Sequence, residues 1–249
     1  AVVALLDKIC QDKLEPFIEQ SYQNLADYVQ AYEQKMIMKR ENIAERGIWT
    51  AKKRYILNVW NSEGVQYSEP KLKVMGIEAV KSSTPAPCRQ MIKDGLKLMM
   101  NGTEEDVIEF IDKCRVEFKA LPPEQIAFPR TVSDVRKYHS HSSIYSKGTP
   151  IHARGALLFN HYIKDKKLTN KYSLIANGEK IKFLYLKKPN IIQENVISFI
   201  QDFPHELGLD KYIDYDLQFE KSFVEPLKAI LDAIGWNVEK TVNLELFFA

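Results

Sequence analysis

Apolar residues recur every three to four positions near the start of the chain, at Leu5, Ile9, Leu14, Phe17, Ile18, Leu25, Tyr28 and Val29, which predicts a helical stripe over residues 3–34. Pro16 falls inside that stripe. Proline lacks an N–H and its ring clashes with the carbonyl four residues back, so a break or kink is predicted near Leu14 or Glu15. The period then changes: residues 36–44 read as a strand, and residues 48–76 as a two-stranded hairpin turning at Asn61-Ser-Glu-Gly64. Pro70 belongs at the start or edge of its strand, where no ladder donor is required. From Pro85 the helical period returns over residues 87–100 and 103–121, with Asn101-Gly102 between them and Thr103-Glu-Glu-Asp106 as a capping-type start. Pro122, Pro123 and Pro129 enclose a loop, and residues 133–146 read as an exposed loop after a short helical turn. Residues 150–166 read as a helix, 180–186 as an alternating strand and 216–234 as an amphipathic helix closed by Gly235. The fold class is therefore α+β, with a joint at residues 82–87 separating domains 1–84 and 85–249.

At 249 residues the chain can hold one large or two smaller cores. No apolar run approaches the roughly 20 residues that span a bilayer, and no signal peptide precedes the first helix, so the expectation is a cytoplasmic protein with no membrane partner. Cys10, Cys88 and Cys114 are far apart and lack Cys-x-x-Cys spacing, which favours reduced structural thiols over a disulfide frame or a zinc site. His139-x-His141 has no cysteine or carboxylate at ligand spacing. No Ser-His-Asp or Cys-His arrangement and no glycine-rich phosphate loop is present.

The net charge of +2 conceals an asymmetry. Residues 130–188 carry thirteen Lys or Arg against three acidic residues, whereas residues 191–249 carry four lysines against eleven. The basic part suits a phosphate backbone, and the acidic part would face solvent or another protein. The sharpest cationic feature is Lys52-Lys53-Arg54, read as three consecutive residues of the hairpin's first strand and so alternating across its faces. Such a ribbon fits the minor-groove side of a nucleic-acid duplex; the alternative is a surface hairpin with one basic strand.

That strand, Trp49-Thr-Ala-Lys-Lys-Arg-Tyr-Ile-Leu-Asn-Val-Trp60, and Lys81-Ser-Ser-Thr-Pro85 after it, resemble the end of the palm and start of the thumb in replicative family B DNA polymerases of large tailed bacteriophages, cyanophages included. The resemblance runs the length of the chain. It includes Lys13-Leu-Glu-Pro-Phe, residues 36–41, Glu69-Pro-Lys-Leu-Lys-Val-Met-Gly, His152-Ala-Arg-Gly-Ala-Leu-Leu-Phe-Asn160, Glu220-Lys-Ser-Phe-Val-Glu-Pro-Leu227 and an aromatic tail. Three catalytic signatures of the family are missing: Asp-x-x-Ser-Leu-Tyr-Pro-Ser, Lys-x-x-x-Asn-Ser-x-Tyr-Gly and Tyr-Gly-Asp-Thr-Asp. Nucleotidyl transfer needs two divalent cations held by aspartates of the first and third, so the resemblance implies no catalytic residue here and inactivity alone.

The resemblance further implies an antiparallel palm-sheet remnant with a helix packed on it, residues 1–84, followed by a mostly helical thumb, residues 85–249. It implies the C-terminal piece of a polymerase, either a fragment or one half of a split enzyme, since the chain opens where the third motif would have ended. No cofactor is expected in this chain, with Mg2+ only in the complete polymerase. Expected partners are primer-template DNA, the N-terminal polymerase portion with exonuclease, fingers and palm motifs, and the sliding clamp. In the family the second lysine of the Lys-Lys-x-Tyr strand reaches the minor groove and the tyrosine contacts the primer backbone, which carries over to Lys53 and Tyr55. Minor-groove acceptors are nearly the same for every correct pair, so one lysine tests pair geometry without reading sequence. Lys52, Arg54, Lys71, Lys73, Lys81, Ser82, Ser83, Thr84, His152 and Arg154 complete the expected DNA-binding set, as phosphate and backbone contacts, with palm carboxylates as the alternative partners of Lys52 and Arg54. For His152 a capping or core role is the alternative. Glu41 matches a glutamate beside the family's metal site, but Lys39 stands where its partner aspartate would be, and a solvated strand charge is the plainer reading. Leu244, Leu246, Phe247 and Phe248 form either the clamp-binding peptide or a buried terminal strand. The second functional reading is a non-catalytic DNA-binding or clamp-binding module derived from a polymerase.

Overall fold

The computed structural model describes residues 2–138 and 143–240 and divides the chain into two compact units, residues 1–75 and 76–249. His139, His141 and the tail residues Leu244, Leu246, Phe247 and Phe248 lie outside the described residues. The α+β class is observed: helices accompany two separate three-stranded antiparallel sheets.

In the first unit α1 (Val2–Ile9) runs through a π-helix, Cys10–Leu14, into α2 (Glu15–Tyr28). The helix is widened before Pro16 and not broken. The Glu15 N–H donates to the Cys10 carbonyl five residues back, which moves the backbone away from the proline ring. The apolar stripe does exist, but Leu5, Ile9, Leu14, Phe17 and Leu25 are exposed, and Ala26 is the buried residue of α2.

Three strands follow, β1 (Asn42–Ala51), β2 (Arg54–Ser62) and β3 (Val65–Met75), with β2 central. The strand expected over residues 36–44 starts only at Asn42. Before it, the Arg40 guanidinium pairs with Asp7 and donates to Asn61 Oδ1 at 2.7 Å, while the Arg40 N–H donates to Glu15 Oε1 at 3.3 Å. Those bonds go to side chains, so they build no ladder. Arg54 opens β2 directly after the reversal, so Lys52 and Lys53 are turn residues and do not alternate across a strand. Ala51 pairs with Arg54, and Lys53 takes φ 62, the left-handed region. The predicted reversal near Gly64 is present as a second turn, Glu63–Gly64, with both φ positive (50 and 85) as in the two-residue loops whose twist matches the strands. Pro70 sits as expected on an edge strand, within an irregular stretch between the pairs Asn61–Gln66 and Val59–Lys71.

In the second unit α3 (Ala86–Asn101) and α4 (Glu104–Lys119) meet at Gly102. The capping box is complete: the Asp106 N–H donates to Thr103 Oγ1 at 3.3 Å and the Thr103 N–H to Asp106 Oδ2 at 2.9 Å. A short α5 (Pro123–Ile126) leads to β4 (Phe128–Thr131), which pairs with β5 (Lys180–Tyr185), itself paired with β6 (Val196–Phe199). β4 stands where a proline-enclosed loop was expected. It is an edge strand, so the donor missing at Pro129 leaves no ladder bond unmade. The segment 82–87, expected as the joint, lies within this unit.

The last helix runs as α7 (Tyr215–Phe219), a π-helix Glu220–Val224, and α8 (Glu225–Ile234). The device at Pro16 recurs at Pro226: the Glu225 N–H reaches the Glu220 carbonyl. Gly235 closes it at φ 75, and the Trp236 N–H returns to the Leu231 carbonyl at 3.0 Å. Phe219 joins this helix to the core, 5.2 Å from Phe118 and 5.0 Å from Phe223 between ring centres. Cys88 and Cys114 are free and buried, and burial raises their thiols to about 11 and about 12.

The remaining helix, α6 (Ile151–Asp165), crosses directly over β6. Gly155 permits the approach, because a Cβ there would stand 2.4 Å from Ser198 Oγ and 2.9 Å from the Ser198 backbone nitrogen. Gly155→Ala is therefore expected to destabilise the chain by about 1–3 kcal/mol, the cost of overpacking against backbone, read as a lower urea midpoint at unchanged slope.

Candidate nucleic-acid interface

The register of the first sheet sorts its side chains by face. Trp49 pairs with Tyr55, Tyr55 with Met75, Leu57 with Lys73 and Val59 with Lys71, and direct cross-strand partners project to one side. Tyr55, Lys71 and Lys73 therefore share a face with Trp49, while Ile56 and Val74 alternate to the other, where Ile56 is fully buried. Lys52 and Lys53 stand exposed at the end of this sheet, in the turn between β1 and β2. Arg54, the first residue of β2, is half-buried.

The cations differ in how far they are committed. Lys71 Nζ lies 4.1 Å above the Tyr67 ring, an orientation that still leaves its remaining donors to a phosphate. Lys73 pairs with Glu41, which raises the lysine and lowers the carboxylate, in each case chiefly through their hydrogen bond. Glu41 is thus a paired charge just before β1. The exposed Glu45 accepts from Asn58 Nδ2 at 2.5 Å and Trp60 Nε1 at 2.8 Å, at the irregular start of the β1–β2 pair.

The other expected residues belong to the second unit. Lys81 pairs with Glu78 at 2.7 Å. Ser82 is exposed and Ser83 half-buried, whereas Thr84 is only 5% exposed. The Ser83 carbonyl accepts from Arg130 Nη1 at 2.8 Å. Arg130 also acts on His152, in the first turn of α6. Burial lowers the His152 imidazole below its ordinary 6.5, with Arg130 as the second cause. The sequence pattern places Arg130 only within the basic stretch, in a loop; in the fold it connects the 81–84 turn with the start of α6. Arg154 is held inward, donating to Asn195 Oδ1 at 2.5 Å and lying 5.6 Å from the Tyr145 ring.

The His152 shift gives a pH dependence. Its folded value lies below its unfolded one, so between the two the unfolded chain carries a proton the folded chain does not. Stability is then complete above 6.5 and declines as the pH falls through that value. The thermal midpoint should drop on acidification from pH 7.5 to pH 5.5, in units of about 2–4 °C for each kcal/mol lost, and His152→Gln should flatten the drop.

No family model matches the chain. Curated relatives do. The chain is 30% identical over 259 residues to the DNA-directed DNA polymerase of Enterobacteria phage T4 and 32% identical over 255 residues to that of Escherichia phage RB69. The similarity is to phage DNA-directed DNA polymerases. It covers 99% and 97% of this chain and 28% of each relative, so the chain spans less than a third of the length of the polymerases it matches.

Among the described residues no group of three or more His, Cys, Asp or Glu side chains could hold a metal ion. Among the same residues no helix is long and apolar enough to cross a membrane.

Proposed function

We propose that the chain is the C-terminal part of a family B phage DNA polymerase, which holds primer-template duplex while the remaining polymerase portions supply the catalytic aspartates and their Mg2+. In this reading residues 1–84 end the palm, residues 85–249 form the thumb, and Leu244, Leu246, Phe247 and Phe248 tether the enzyme to its sliding clamp in the host cytoplasm. The observation that carries it is the common face of Tyr55, Lys71 and Lys73 with the Lys52–Lys53 turn at its end, within a chain similar to polymerases over nearly its whole length. The turn offers two exposed amines on a narrow tip, a shape that enters a groove, while the lysines of β3 meet phosphates.

The exposed apolar stripe of α1 and α2 supports a further polymerase portion as partner. Leu5, Ile9, Leu14, Phe17 and Leu25 stay in water here, and a row this long at helical spacing is a surface made to be covered.

The test is binding of the purified chain to a fluorescent primer-template duplex at several salt concentrations. Affinity should be independent of sequence and fall with salt, at a slope of about −0.9 per phosphate contact. Salt-independent binding, or none to duplex, would refute the reading.

A further inference from the structure

Trp49 is 64% exposed, although a tryptophan this accessible leaves a large apolar ring in water. Its placement is specific. Gly47, two residues earlier on the same face, has no side chain, and a Cβ built there would come within 2.6 Å of the six-membered ring of the indole and 2.8 Å of Leu57 Cδ2. The outer edge of the indole's six-membered ring therefore lies over Gly47, while much of the ring stays open to solvent. Tyr55 is its cross-strand partner, and Lys71 and Lys73 follow on the same face. Lys52 begins the turn three residues on, about 10 Å of extended chain.

From this arrangement we propose that Trp49 is a stacking platform for an unpaired base of single-stranded nucleic acid, beside the cations that hold the adjoining backbone. The inference rests on the reading of this face as nucleic-acid-binding. It adds a feature that duplex gripping does not require, since paired bases inside a duplex are stacked on both sides and offer no free ring face to a side chain. An unpaired base does. Aromatic stacking of this kind tolerates any sequence, and nearby cations supply the charge complement for its phosphates. Gly47 acts as a positioning residue, since it leaves the space that the ring edge occupies.

The experiment compares a blunt duplex with the same duplex carrying a short oligothymidylate tail, read by indole emission and by affinity. The full chain should show emission quenching with the tailed duplex beyond that with the blunt one, and Trp49→Ala should remove this extra quenching. The ratio of tailed to blunt affinity should fall about tenfold in Trp49→Ala, the scale of one lost base–aromatic stack, and less in Trp49→Phe, which keeps a ring. Gly47→Ala, which retains the indole but lifts it, should lower the ratio as Trp49→Ala does. Unchanged ratios and no tail-dependent quenching, with duplex binding intact, would overturn the platform alone. Failure of both duplexes to bind would overturn it together with the nucleic-acid reading of the face.

Discussion

Mixing this chain with a polypeptide that carries the three polymerase signatures is expected to turn two inactive samples into one that extends a primer. Phosphoryl transfer spreads charge over the phosphate oxygens, and in the proposed reading the divalent cations that neutralise it are held by aspartates of two signatures that this sequence does not contain. The chain alone should therefore incorporate no nucleotide, and the mixture should exceed either part by about 10³-fold or more, the scale on which single charged groups act in this chemistry. Phe17→Asp supplies the control. Phe17 is 70% exposed, so the change should barely affect this chain's own stability, yet it places a charge in the stripe expected to be covered and should block the gain. Extension by the chain alone would sink the proposal. A mixture that associates but stays inactive would favour the non-catalytic module.

Lys53→Gly should raise stability and lower activity together. Lys53 holds φ 62, where a side chain is strained and glycine is not, so the substitution is expected to stabilise the hairpin by up to about 1 kcal/mol. It also removes the amine from the tip of the turn. In the reconstituted enzyme kcat/KM for extension should fall about 10- to 100-fold, equivalent to about 1.4–2.8 kcal/mol of transition-state stabilisation, whereas duplex affinity should change little because other phosphate contacts supply most of it. Lys53→Ala should lose the same activity without the gain in stability. The pair of variants separates backbone strain from side-chain function. Equal extension by Lys53→Gly and the parent would show that the turn is only structural.

The strained lysine was not legible beforehand. Lys52-Lys53-Arg54 follows a strand pattern without a Gly, Asn or Pro to mark a reversal, and three cations in a row read naturally as part of one ribbon. The turn is fixed instead by pairing on both sides of it, Trp49 with Tyr55 and Ala51 with Arg54, which dictates the backbone whatever residues fill it. By contrast the Glu63–Gly64 turn carries its own signal in Gly64. Similarly, Pro16 announced a disturbance of the first helix, but whether the chain breaks, kinks or widens depends on the hydrogen bonds its neighbours can still make.

Local chemistry was therefore written plainly in the sequence: the helical periods, the Thr103–Asp106 capping box, the glycine stop at Gly235 and the edge position of Pro70. Each depends on residues within a few positions of one another, where backbone propensity and side-chain capping act directly. Tertiary structure alone decided the rest. It placed β4 beside β5 across some fifty residues of intervening chain, allowing a proline-rich stretch to serve as an edge. It brought Arg130 to Ser83 and His152, turned Arg154 inward to Asn195, and gathered Trp49, Tyr55, Lys71 and Lys73 on one face. Those pairings arise from strand register and from the burial of distant apolar surfaces, which no local window of the chain contains.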